Sequence, residues 1–202
     1  AQVNPGAEDL IDGVDNNCDG VIDSQKDNIS NLLSGALSND DIGSSKTWYW
    51  QSDTDGFLGV GPVNGTDSSN PIYWLATAND SYRSCSYANE FVFTRVSGGV
   101  TFEQSGPVYL DNYFDEFGVS ETACYGQQVI SSIAGVKNVT FLASTSQPAL
   151  QGTYYNSGTG STFTKASMLF SENGFMGHYA GHNLAQIENE IILISENELV
   201  VR

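Results

Sequence analysis

The chain has 202 residues, 40% hydrophobic and 11% aromatic, which is enough to bury a core and excludes global disorder. Asp and Glu number 24 against 7 Lys and Arg, a formal net charge of −17. That field repels nucleic acid and anionic membrane surfaces and suits cations and neutral ligands. No run of apolar residues is long enough to cross a membrane as a helix, so membrane insertion is not expected.

In chain order, the first segment is acidic and poor in large apolar groups. Ala1-Gln2-Val3-Asn4-Pro5 lacks the pattern of a signal peptide and reads as a mature N-terminus left after export. Residues 1–27 form an acidic calcium-binding segment, because burial alone cannot fold them. Asp15, Asn17, Asp19 and Asp23 follow D-x-N-x-D-G-x-x-D, with Gly20 at the sharp turn and the Val21 carbonyl at the seventh position. Hard oxygen donors at that spacing point to Ca2+. The bidentate Glu that closes an EF-hand is replaced by Lys26, so the loop is not a complete EF-hand, and Asp12 or Asp27 is available to fill the gap.

The stretch Asn4-Pro-Gly-Ala-Glu8 followed by Asp12-Gly-Val-Asp-Asn-Asn-Cys-Asp-Gly-Val-Ile-Asp23 resembles the MopE-type metal-binding repeat of secreted bacterial proteins. In that family an earlier cysteine usually stands where this chain has Ile11. The resemblance covers about twenty residues and implies a structural staple at the head of the module.

Residues 28–45 read as a short helix and linker. Ile29, Leu32, Leu33, Ala36 and Leu37 fall on one helical face over 28–38, with Asp27 or Asn28 as N-cap.

Residues 46–202 read as a β-module. Strands are expected at Thr47–Gln51, Ile72–Ala76, Glu90–Arg95, Val100–Gln104, Gln128–Ile133, Asn138–Ala143, Ala166–Phe170, Phe175–Tyr179, Glu190–Ile194 and Glu198–Arg202. Gly98-Gly99, Asn173-Gly174 and Ser195-Glu-Asn197 are the turn signals between neighbouring strands. The expected fold is all-β: an antiparallel β-sandwich or open barrel of about ten strands, with a short N-terminal calcium loop and one short helix.

The three cysteines are Cys18, Cys85 and Cys124. Cys85 and Cys124 share β-like surroundings and are the expected disulfide, which leaves Cys18 free. No C-x-x-C is present to build a thiolate zinc site.

Catalytic signatures do not stand out. His178 and His182 are the only histidines, and on a regular strand they sit too far apart to share a metal. There is no G-x-S-x-G and no P-loop, and in so acidic a chain no carboxylate pair is distinctive. The expectation is a non-enzyme.

Neutral sugars offer an apolar C–H face that flat aromatics match, with Asp and Asn reading the hydroxyls. Trp74 and Tyr73, behind Pro71 and a Gly, Asp and Ser-rich loop, are the first candidates for such stacking. Trp48 and Trp50, which alternate along a strand, and Tyr113 with Asp111 follow. Tyr109, Phe114, Tyr154 and Tyr155 are further aromatic choices near loops.

The patches Lys46-Thr-Trp-Tyr-Trp50, Gly56-Phe-Leu-Gly-Val-Gly-Pro62, Pro71-Ile-Tyr-Trp74, Cys85-Ser-Tyr-Ala-Asn-Glu-Phe-Val-Phe93 and Gly174-Phe-Met-Gly-His-Tyr179, with the end from Glu190 to Arg202, resemble an accessory β-domain. Such domains occur in multimodular secreted glycan-degrading or glycan-binding proteins of Bacteroidota. The resemblance implies a non-catalytic module, secreted or attached to the outer surface, beside other modules. It also implies, more loosely, carbohydrate binding, while the ligand does not follow from it; the leading expectation, from charge and aromatics, is a neutral polysaccharide such as a β-glucan of the laminarin type. The competing expectations are a calcium-stiffened structural or adhesion module without a glycan ligand, and a lipocalin-like barrel for a small apolar ligand.

Overall fold

The computed structural model describes residues 3–5, 7, 13–20, 22, 24–60, 74–112, 117–127, 133–143, 166–171, 174, 176 and 188–201. The elements in order are α1 (Ser24–Ser34), β1 (Ser45–Trp48), β2 (Gly59–Val60), β3 (Trp74–Leu75), a 3-10 helix (Ser81–Ala88), β4 (Glu90–Val96), β5 (Gly99–Ser105), β6 (Val108–Leu110), β7 (Ala123–Tyr125), β8 (Lys137–Ala143), β9 (Ala166–Phe170), β10 (Glu188–Ile194) and β11 (Leu199–Val201). Seven strands form one antiparallel sheet in the order β1-β4-β5-β8-β9-β10-β11, curled into a half-barrel. The pairs β2-β3 and β6-β7 form two small separate sheets.

Alternation decides which side chains enter the curl. In β4, Phe91, Phe93 and Arg95 are buried while their neighbours are half-exposed; in β5, Val100, Phe102 and Gln104 are buried. Register sets Phe93 directly opposite Phe102 and Arg95 opposite Val100. Phe102 then stacks on Phe170 of β9, with ring centroids 4.4 Å apart. Val139, Phe141, Met168, Ile191 and Ile194 complete this core.

Helix α1 belongs to the same core. It packs against β1, β4, β5 and β10, strands from both ends of the sheet, and so fills the open side of the curl. Ile29 and Leu33 are its buried apolar contacts. Ser30 and Ser34 lie beside them, buried because their hydroxyls donate to the Lys26 and Ser30 carbonyls at 2.8 and 2.7 Å.

The helix starts four residues before the expected 28 and ends four before 38. Gly35 has φ +69°, and the Ala36 amide donates to the Asn31 carbonyl at 3.0 Å, a Schellman closure. The periodicity that counted Leu37 on the buried face is therefore corrected: beyond the cap Leu37 is 96% exposed. Asp27 is no N-cap. It sits in the first turn, where a carboxylate suits the helix dipole.

The strands at Glu90–Val96, Gly99–Ser105, Lys137–Ala143, Ala166–Phe170, Glu188–Ile194 and Leu199–Val201 lie where the β pattern placed them. The β4–β5 turn is Ser97-Gly98 rather than Gly98-Gly99, since Val96 pairs with Gly99. The turn over Ser195-Glu-Asn197 is present, with the Ser195 amide donating to the Glu198 carbonyl at 2.9 Å.

Two expected strands lie almost wholly outside the described residues. Of 128–133 only Ile133 is described, and it is buried outside any strand. Of 175–179 only Met176 is described, also outside any strand. The Asn173-Gly174 turn falls partly outside the described residues. The second, 3-10 helix was not expected, and neither were β2, β6 and β7, which are too short to show alternation.

Candidate functional site

Two places carry the chemistry pointed to by the sequence. The first is the N-terminal loop. Its backbone turns back on itself at Cys18, with φ +61°, and at Gly20, with φ +89°, a conformation that glycine adopts without steric cost. The curl draws the side chains together. The Asp19 amide donates to Asp15 Oδ1 at 3.2 Å and to Asn17 Oδ1 at 3.0 Å, and the Gly20 amide donates to Asp15 Oδ2 at 2.9 Å. Asn17 Nδ2 donates to Asp19 Oδ2 at 2.9 Å. Asn16 is buried beneath, and its carbonyl accepts the Asn4 amide at 2.9 Å, tying the leading strip to the loop.

Asp15, Asn17 and Asp19 thus share one turn, and their carboxylate and amide oxygens are a donor set whose chemistry fits a hard cation. Val21 and Asp23, expected at the remaining positions, lie outside the described residues, as does Asp12. Among the described residues no cluster of three His, Cys, Asp or Glu side chains is drawn to metal spacing. Asp27 is not spare: Oδ1 takes Arg95 Nη2 at 2.8 Å and Oδ2 takes Asn39 Nδ2 at 3.1 Å. The expectation that Asp27 is available to complete the ligand set is corrected, because the arginine claims it.

Cys18 is exposed and free, and Cys85 is bonded to Cys124, the pairing read from the sequence. A thiol reagent added to the native chain is expected to label Cys18 alone; mass spectrometry finding a second labelled cysteine before reduction would contradict this.

The second place is an aromatic cluster on β3, the 3-10 helix and β6. Asp80 caps the helix, accepting the Tyr82 amide at 3.0 Å and Arg83 Nη1 at 3.0 Å. The Arg83 guanidinium lies over Trp74, 4.4 Å from the ring centroid, and over Tyr109 at 4.6 Å. Asp111 Oδ2 is 3.9 Å from Arg83 Nη2, and Asp111 Oδ1 accepts the Tyr109 hydroxyl at 3.3 Å. Burial, and then the Asp111 carboxylate, holds the Tyr109 phenol above its ordinary pKa, so it stays a neutral donor. Burial, and then Asp80, does the same for Tyr87. The Cys85–Cys124 bond ties this helix to β7, over a small second core of Val108, Leu110 and Ile133.

Of the aromatic candidates, Trp74 is half-buried in this cluster. Trp48 is corrected: it is 9% exposed, part of the main core, and its indole N–H donates to the Leu33 carbonyl at 2.9 Å. Strand β1 lies on the helix side, so its inward ring packs rather than displays. Trp50 is also corrected as a displayed ring: it is half-buried, edge-on to Phe57 and Phe91. It lines a hollow with Phe57, Leu58, Arg83, Tyr87 and Tyr109 of about 20 Å³, room for one water and not for a sugar. Tyr73 and Tyr113 lie outside the described residues, with His178 and His182. Arg83 was missed. Its signal was available: a rare base in an acidic chain, three residues after a capping Asp.

A family model described as "Putative metal-binding motif" (Cu-binding MopE) matches residues 1–24. No curated protein matches the chain. The similarity to that motif covers the N-terminal loop and stops before the sheet begins.

Proposed function

We propose that the chain is a non-catalytic carbohydrate-binding module of a secreted or surface-attached glycan-utilisation protein. In this reading it binds a neutral polysaccharide, in the first instance a β-glucan, and its N-terminal loop holds calcium. The observation that carries the reading is the convergence of Trp74, Tyr109 and Asp111 on Arg83. Aromatic faces and hydroxyl-reading groups stand together there on a disulfide-tied scaffold. The charge of −17 favours a neutral ligand over uronates or sulfates. The spacing of the Asp15, Asn17 and Asp19 oxygens, with Gly20 at the turn, favours calcium.

Affinity electrophoresis against laminarin and other neutral polysaccharides tests the reading. Wild-type chain is expected to be retarded in at least one gel, and Trp74→Ala to lose about tenfold in affinity or more while staying folded. Unretarded migration through every neutral gel would sink it. A calcium-stiffened structural module is then the reading in its place, and one observation already favours that alternative: Trp48 and Trp50 both serve packing. A lipocalin-like site is less well supported, since α1 fills the side of the curl that such a ligand would need.

A further inference from the structure

We infer that metal occupancy of the N-terminal loop is coupled to the stability of the half-barrel core, through α1 and the Asp27–Arg95 ion pair. The inference rests on the metal reading of the loop and goes beyond it, because a stapled linker at the head of a module would leave the sheet indifferent to the ion.

The connection is short. The described stretch of the loop ends at Gly20, and α1 begins at Ser24. Nine residues further on, Leu33 is fully buried, and its carbonyl accepts the Trp48 indole N–H. Between them Asp27, in the first helical turn, meets Arg95 on the inward face of β4. Arg95 is 2% exposed. Its Nη2 donates to Asp27 Oδ1 at 2.8 Å and its Nη1 to the Gly99 carbonyl at 3.0 Å, while its Nε is buried with no partner. The Arg95 main chain holds the segment after the helix as well: its amide donates to the Ser44 carbonyl at 2.8 Å and its carbonyl accepts the Gly43 amide at 2.9 Å.

A buried guanidinium is tolerated only with its anion in place. That anion is delivered by the turn of helix nearest the loop. Residues 21–23 are all that separates Gly20 from the first turn of α1, whose amides have no partner inside the helix, so a loop that opens leaves that turn free to fray. Asp27 then leaves Arg95 with a single carbonyl. The cost falls on β4, in the centre of the core, and not on the loop. Binding of a cation to the loop therefore opposes a loss that the sheet would otherwise bear.

The test uses the full chain in EGTA and in calcium chloride. Calorimetry measures binding, and tryptophan fluorescence with amide hydrogen exchange follows α1 and β4. At about a hundredfold excess of calcium over its Kd, the melting temperature of the β-module is expected to rise by about 5–10 °C. Protection should rise in Glu90–Val96. Asp15→Ala should abolish both responses. Asp27→Ala, if it folds, should still bind calcium but transmit little of it to β4. Calcium binding with an unchanged melting temperature and unchanged β4 exchange would overturn the coupling while leaving the metal loop standing. No calcium binding at all would overturn both.

Discussion

Removing the Asp27 carboxylate is expected to cost the fold about 3 kcal/mol, far beyond a surface substitution. Arg95 is among the largest fully buried side chains of the described residues, and its guanidinium keeps one ion pair and one neutral acceptor. Breaking a buried pair from one side typically costs about 3–5 kcal/mol, because the remaining charge is left uncompensated. Asp27 is itself about a third exposed, so water can reach part of the gap, and the lower end applies. The neighbouring Asn39 amide loses its acceptor too. Urea denaturation of Asp27→Ala should show this loss in midpoint. The paired replacement Arg95→Met with Asp27→Leu should recover most of it, since an apolar pair of similar volume needs no anion. A loss below about 1 kcal/mol for Asp27→Ala would mean that the guanidinium is solvated and is not held by this pair.

Loss of the Cys85–Cys124 disulfide should be of the same order. The bond closes 39 residues of chain, for which the chain-entropy model gives about 4 kcal/mol. The effect should be uneven. The bond joins the 3-10 helix to β7 on the small second core, whereas the phenylalanine cluster of β4, β5 and β9 lies in the main sheet. Cys85→Ser with Cys124→Ser should therefore loosen the platform that holds Arg83 and Tyr109 first, with hydrogen exchange rising in Ser81–Ala88 and Val108–Leu110 ahead of β4. Glycan retention should fall with it. An unchanged denaturation midpoint in the double variant would show that packing alone fixes the helix on β6 and β7.

The long sheet strands were legible in the sequence for a plain physical reason. Phe91-Val-Phe93 and Val100-Thr-Phe102 are runs of aromatic and β-branched residues on either side of a glycine turn, a combination that suits a pleated, half-buried pair. The N-terminal motif was equally legible as a motif, because the spacing of Asp15, Asn17 and Asp19 and the glycine after them are local properties. The cysteine pairing followed from arithmetic on three residues and their settings. The short strands β2, β6 and β7 were not legible, since two or three residues cannot display a period.

By itself, then, the amino-acid sequence determined an acidic, all-β chain with an oxygen-rich loop, a short helix and one internal disulfide. Tertiary structure alone decided three things. It turned Trp48 inward, because the carbonyl of Leu33 on α1 sits where its indole N–H can donate. It gave Asp27 to Arg95 rather than to the loop, because a buried guanidinium on β4 needs an anion more than an open loop needs another oxygen. And it gathered Trp74, Arg83, Tyr109 and Asp111, residues spread over 74–111, onto one face. Each depends on contacts between distant segments, and no local pattern of residues encodes the charge or hydrogen-bond partner that a side chain will meet across the core.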